Sequence, residues 1–247
     1  MSGQAILAVV FGCLLAQSAK TPPTFDVAAI KPSDTANPIG IRRYPGGRFV
    51  TSNTSLKLLI TWTYDIGDER LIGAPGWLDS ARFDIAAKAA NEDPTSDELH
   101  AMMKSLLADR FKLRVHTETR DLQMYTLDLD KNGPRVHLRA APLAVNHDPF
   151  KMTESGRLSG TSVTAGMLAK VLTGQLGHYV SDNTGFNGFF DFTLEWRPDS
   201  AAGGIDADSR ASIFTAIREQ LGFRLTPGRA PVEVIAIDHV ENRPTDN

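Results

Sequence analysis

Two nine-residue stretches decide how this chain is read: GRFVTSNTS at residues 47–55 and GRLSGTSVT at residues 156–164. They lie 109 positions apart and share a Gly-Arg start, a large apolar residue and a run of small polar residues. Each leads into a segment with helical spacing. After the first come Leu56, Leu59, Ile60 and Thr63, with Thr54 or Ser55 placed to cap the helix. After the second come Met167, Leu168, Val171, Leu172 and Leu176, with Gly177 as the stop.

The correspondence runs on in the same order. GWLDSARFDIAAKA (Gly76–Ala89) answers to GFNGFFDFTLEW (Gly185–Trp196), each opening Gly-aromatic and reaching Phe-Asp-apolar. Alternation puts Phe190, Phe192, Leu194 and Trp196 on one side of a strand. A second helix follows in each half. TSDELHAMMKSLLADRF has Thr95 or Ser96 as cap and Met102, Met103, Leu106, Leu107 and Phe111 as its apolar stripe. SRASIFTAIREQLGF has Ile213, Phe214, Ile217 and Leu221. Each half closes on two strands. These are KLRVHTET and LQMYTLDLDKN in the first, and FRLTPG and VEVIAIDHVEN in the second, where Pro227-Gly228 reads as a turn.

Four matched blocks at nearly constant offset lead to an α+β expectation: two tandem copies of a small β-α-β-β-α-β-β unit, roughly 47–130 and 156–242, with helices packed on mixed or antiparallel sheets. The expected organisation is a leader at 1–19 and a first repeat at 24–135 with an extra strand, TFDVAAIKP (Thr24–Pro32), at its start. A connection at 136–155 and a second repeat at 156–243 complete it. RPDSAAGGIDADSR, residues 197–210, reads as a Gly-rich surface loop.

Of the 247 residues 42% are hydrophobic and 22% charged, an ordinary globular balance, and the net charge is −3. With no basic excess to release counterions, nucleic acid is not an expected partner. The first 19 residues carry no charge, and Ala5–Ala16 is an apolar run of twelve. A membrane-spanning helix needs about 20 residues. A secretory leader needs about 7–15 followed by small ones. The expectation is therefore a cleaved signal peptide, a periplasmic or extracellular location and no membrane span in the mature chain. A buried N-terminal helix is the other reading of this stretch. Cys13, the single cysteine, lies in the leader, and a lipid anchor through it is the second reading of VFGC. The mature chain then has no thiol and no disulfide.

FDVAAIKPS, GGRFVTSNTSLKLLI, GAPGWLDSARFDIAAKA, LLADRFKLRVHTETRDLQMYTL, DNTGFNGFFDFTLEW, SIFTAIREQLGFRL and PVEVIAIDHVENRP together resemble the soil-associated family of exported bacterial proteins, a domain of unknown function. Some relatives in that family attach the domain to a membrane metallopeptidase of the beta-lactam sensor type. The resemblance thus implies an extracytoplasmic sensing or binding role, although this sequence carries neither that attachment nor HExxH. A looser similarity of pattern links it to the short N-terminal domains of secretins and TonB-dependent receptors, which dock other envelope proteins.

The residues offer little convergent chemistry. His116 and Glu118 share a strand face and could begin a metal site, but a third ligand is not visible. Adjacent strand residues point to opposite faces, so Asp238 and His239 cannot act as a dyad with each other. Asp79, Asp84 and Asp191 sit at repeated structural positions, and RRYPGGRF (Arg42–Phe49) reads as a tight hairpin. Among Trp62, Tyr64 and Trp77, the loop residue Trp77 is the binding candidate, able to stack on a sugar or partner; such an aromatic more often plugs the end of a core. No catalytic set, cofactor or metal site is expected. The functional expectation is a non-enzymatic binding or interaction module of the cell envelope, with envelope proteins or cell-wall and glycan ligands as partners. The alternatives are a hydrolase whose site lies between the copies, using some of His100, His116, Glu118, His178 and Asp191, and a sensor component linked to a membrane metallopeptidase.

Overall fold

Gly47 and Gly156, the first letters of the two echoed stretches, both hold left-handed backbone, with φ of 71° and 75°, a region open to glycine because it has no Cβ. Gly47 O accepts from Ala89 N and Gly156 O from Trp196 N, each at 2.9 Å. From each glycine the chain runs through a strand into a capped helix. Ser55 Oγ accepts from Leu58 N and Thr164 Oγ1 from Met167 N, both at 3.2 Å.

The computed structural model describes residues 22–33, 37–140, 142, 149–153, 156–197 and 210–245. The expected leader, Cys13 and most of the loop expected at 197–210 lie outside the described residues. The first half comprises β1 (Val27–Pro32), β2 (Gly40–Tyr44), β3 (Arg48–Ser55), α1 (Leu56–Tyr64), β4 (Leu71–Ile72), β5 (Arg82–Lys88), α2 (Ser96–Arg110) and β6 (Arg114–Leu129). Short 3-10 turns at Asp68–Arg70 and Gly76–Asp79 flank β4. The second half comprises β7 (His137–Arg139), β8 (Phe150–Thr153), β9 (Arg157–Val163), α3 (Ala165–Leu176), β10 (Tyr179–Asp182), β11 (Phe189–Glu195), α4 (Ile213–Ala216) and β12 (Phe223–His239). The fold is mixed α+β, with four α-helices among the described residues and three mostly antiparallel sheets.

The outer sheets are ordered β1-β5-β3-β2 and β7-β11-β9-β8; the central one is β10-β6-β12-β4. In the central sheet β6 and β12 pair antiparallel along nearly their whole length. β4 of the first half lies parallel to β12 of the second, Leu71 opposite Ile235. β10 of the second lies parallel to β6 of the first, Tyr179 opposite Met124. Each half therefore lends a short strand to the other's long one.

The expected closing strands need correction. KLRVHTET and LQMYTLDLDKN form one continuous strand, β6, and the second half does the same in β12. Pro227-Gly228 is not a turn: Pro227 pairs with Tyr125 and Gly228 with Met124. Proline is tolerated there because β4 pairs with β12 only at Ile235 and Ala236, so β12 is an edge strand around residue 227. Each half thus reads β-β-β-α-β-β-α-β. Two strands, β7 and β8, lie within the stretch 136–155 expected as a connection.

Each outer sheet packs its helices on one face. The first core gathers Phe49, Leu59, Ile85, Met103, Leu107 and Phe111; the second gathers Leu158, Leu168, Leu172, Phe190, Phe223 and Ile217. Each such large side chain contributes about 1.5–3 kcal/mol on burial. Phe190, Phe192, Leu194 and Trp196 all enter the second core, as alternation required. Among the described residues no helix is long and apolar enough to cross a membrane.

Candidate functional site: the groove between the halves

α1 ends at Asp65, whose left-handed backbone (φ 53°) turns the chain into Ile66–Gly67 and the Asp68–Arg70 turn. α3 ends at Gly177, also left-handed (φ 63°), and hands the chain to β10. Because β4 and β10 cross onto opposite long strands, these two helix ends face each other. Between them lies a groove of about 830 Å³, within the range of ligand clefts.

Leu58, Ile66 and Val180 give the groove an apolar lining, and Gly166, Ala169 and Gly174 keep the α3 wall low. The Lys170 ammonium bonds to the Asp65 carboxylate, an ion pair from α3 to α1. Arg70 Nε donates to Glu233 O at 2.7 Å. The Arg70 guanidinium also sits 5.2 Å from the Tyr179 ring centroid, a cation–π contact. Asp182 Oδ1 accepts from Thr184 N and Oγ1 at 2.9 and 2.7 Å.

Glu69 is the unusual group. Its carboxylate lies over Gly67, where an added Cβ would stand 2.2 Å from Glu69 Oε2. Its Oε1 is buried and lacks a hydrogen-bond partner. Burial pushes the Glu69 carboxyl above its ordinary value, against the pull of its own backbone N–H, Arg70 and His178. Both lining cations are already engaged. Asp65, Asp68, Glu69 and Asp182 therefore leave the groove richer in acceptors than in donors.

The sequence candidates are dispersed. His100 packs edge-on against Trp62, ring centroids 4.5 Å apart, and burial lowers its pKa. His116 Nδ1 lies 2.8 Å from Asp238 Oδ1 across the β6–β12 pairing, while Glu118 accepts from Arg120 Nε at 2.8 Å. The strand face shared by His116 and Glu118 therefore ends in two separate exposed pairs. The β6–β12 pairing brings Asp238 to His116 at the irregularity between Ile237 and His239. His178 meets the Tyr125 ring. Trp77 is half-buried against the first core, beside a shallow pocket shared with residues 240–243. Trp62 also touches Phe49, and Tyr64 lies under Lys104. Arg42–Phe49 is the β2–β3 hairpin.

Asp84 and Asp191 do a common job. Asp84 Oδ1 accepts from Asn53 N at 2.9 Å and from Ser33 Oγ at 2.5 Å. Asp191 Oδ1 accepts from Ser162 N at 2.7 Å and from Arg139 Nε at 2.5 Å. Asn53 and Ser162 are left-handed (φ 47° and 55°), each at a register shift just before a helix. Each carboxylate clasps the bulge that turns strand into helix. Ser33 and the Asn53 N–H hold the Asp84 carboxyl below its usual range; Arg139 first, then the Ser162 N–H, do so for Asp191.

Sequence reasoning missed the groove's polar set. GDERLIG shows neither helical nor strand periodicity and reads as a solvated charged loop. The available signal is the break in the echo, since GHYV (Gly177–Val180) stands where ERLI does and has no carboxylate. No curated protein and no solved structure matches the chain. Residues 57–240, 184 of the 247, match the family described as Protein of unknown function (DUF3738), and the chain belongs to that family.

Proposed function

We propose that the chain is an exported, internally duplicated, non-enzymatic binding module whose ligand occupies the groove between its halves. Duplication is supported by the like order of the outer sheets, the reciprocal crossing of β4 and β10, and the paired clasps of Asp84 and Asp191. Export is supported by the charge-free apolar segment at the chain start. The observation that carries the binding reading is the buried, unpartnered Glu69 oxygen in a groove that both halves line. An acceptor-rich groove with an apolar floor suits a ligand with N–H or O–H donors beside an apolar part. Amino sugars and the amines of cell-wall peptides have that chemistry, as do the lysine tails of envelope proteins.

The hydrolase reading draws no support from its five candidate residues: only His116 and Glu118 share an element, and each bonds to a different partner. Gly174→Trp tests the binding reading. A Cβ at Gly174 meets nothing within 4 Å, so the indole fills the groove without disturbing α3. Soluble amino-sugar and cell-wall peptide fragments, titrated by calorimetry, and a pull-down against envelope extracts should show saturable binding by the native chain, at least about tenfold weaker in Gly174→Trp. Binding that Gly174→Trp leaves intact, or none across the panel, sinks the reading.

A further inference from the structure

The outer face of the first sheet, turned away from α1 and α2, forms a grid fixed by strand register. One row is Tyr44, Arg48, Lys88 and Val27; the next is Arg42, Val50, Ala86 and Ala29; beyond it Gly40 pairs with Ser52 and Lys31 with Asp84, on either side of the register shift between Thr51 and Thr54. The residues between them, Phe49, Thr51, Ile85 and Ala87, are buried beneath. With strands about 4.8 Å apart and alternate residues about 6.8 Å apart, the grid spans roughly 14 Å each way.

Its charge is lopsided. Arg42, Arg48, Lys88 and Lys31 oppose only Asp84, a net of +3 on a chain whose total is −3. Arg42 and Lys88 form no ion pair among the described residues, and Arg48 lies over the Tyr44 ring at 5.3 Å. The middle of the grid is small and smooth, with a shallow depression of about 460 Å³ along Ala29, Val50, Ser52 and Ala86. Tyr44 and Val27 stand at the two ends of the most cationic row, 40% and 65% exposed. The matching face of the second sheet is closer to balance, with Arg139, Lys151 and Arg157 against Asp191 and Glu195. There Arg157 pairs with Glu195 at 3.2 Å and Arg139 with Asp191, and Thr193 and Ser159 replace Ala86 and Val50.

We propose that this face docks on an anionic lipid surface. A two-dimensional spread of cations matches a two-dimensional array of anionic headgroups. Tyrosine and an exposed valine at its margin suit the boundary between headgroup and acyl chain. An extended acidic peptide would pair along the free edges of β1 and β2 rather than lie on the face. The chain enters on the other side, where Ser105 of α2 donates to Pro23 O at 2.8 Å and Phe25 stacks on Phe49. This leaves the grid open to a membrane.

The test is co-sedimentation of the full chain with vesicles of phosphatidylcholine alone and of phosphatidylcholine with phosphatidylglycerol. The apolar segment Ala5–Ala16 would bind both alike, so the difference between them is the readout. Each basic residue contributes about fivefold in partitioning. The native chain should prefer anionic vesicles, Arg48→Glu/Lys88→Glu should cut that preference by about 25-fold or more, and raising salt to about 1 M should remove it. Lys151→Glu/Arg157→Glu on the second sheet should leave it unchanged. Arg42→Gln/Lys88→Gln, weaker by about 25-fold, serves if the charge reversal fails to fold by circular dichroism. No preference in the native chain, or one that survives in Arg48→Glu/Lys88→Glu, overturns the proposal. So does binding to polyglutamate without binding to anionic vesicles, which would point to an acidic protein partner.

Discussion

In the first half the second helix, α2, runs for fifteen residues behind a capping box, with Thr95 N donating to Glu98 Oε2 at 2.8 Å and Thr95 Oγ1 accepting from Glu98 N at 3.2 Å. In the second half its counterpart is one α-turn, Ile213–Ala216, running into a π-turn at Ile217–Leu221. The outer sheets keep one strand order all the same. Helix regularity is therefore not what holds the order. The features present in both halves are a left-handed glycine opening the strand, a hydroxyl capping the first helix, an apolar strand face and an aspartate clasping the bulge. Surfaces diverge freely around them: basic grid against a face closer to balance, Glu69 against Gly177.

The largest test of this comparison concerns the cores. Phe83→Ala and Phe190→Ala remove matching buried rings, and each should cost about 4 kcal/mol. Because β6 and β12 bind the halves through the central sheet, urea unfolding followed by circular dichroism should stay a single transition in both variants. Two transitions would break the picture of one cooperative body.

The clasps come next. Asp84→Ala and Asp191→Ala should each cost about 2 kcal/mol at neutral pH, since each frees a backbone N–H that had a charged acceptor. Both carboxyls are held below their ordinary values in the folded chain. Their stabilisation is complete above the unfolded value of about 3.9 and disappears as pH falls through the lower folded values. Chemical denaturation repeated at decreasing pH should bring native and variant stabilities together. A gap that stays constant would mean that the carboxylate charge plays no part.

The smallest effect belongs to the feature only one half has. Glu69 carries a raised pKa, so the folded chain favours the protonated form and its charge weakens the fold above the ordinary carboxylate range. Glu69→Gln should gain less than about 1 kcal/mol at neutral pH, a gain that vanishes below the unfolded value of about 4.3. Destabilisation at neutral pH would show that the carboxylate has a compensating partner.

Much of this fold is legible along the chain. Ser55, Thr95, Thr164 and Gly177 mark helix ends where hydroxyl and glycine chemistry put them, and Phe190 to Trp196 alternate into their core. Pro227-Gly228 misled, because a turn signal yields to strand pairing at an open edge. Trp77 follows Pro75-Gly76 in a loop and lies half-buried against the core, where such an aromatic more often sits. The groove's Glu69 and Arg70 gave no local sign, since Arg70 is held by Glu233 and Tyr179 of the other half and Glu69 lies in a groove that both halves line.

By itself the sequence determined what depends on near neighbours: which segments coil, where they stop and which side is apolar. These follow from backbone geometry and capping within a few residues. Only the tertiary structure decided that β4 and β10 trade partners, that Asp238 meets His116, and that two helix ends enclose a groove. Those contacts join residues more than 50 positions apart, and their register is set by how two cores pack against one shared sheet, which no short window of sequence contains.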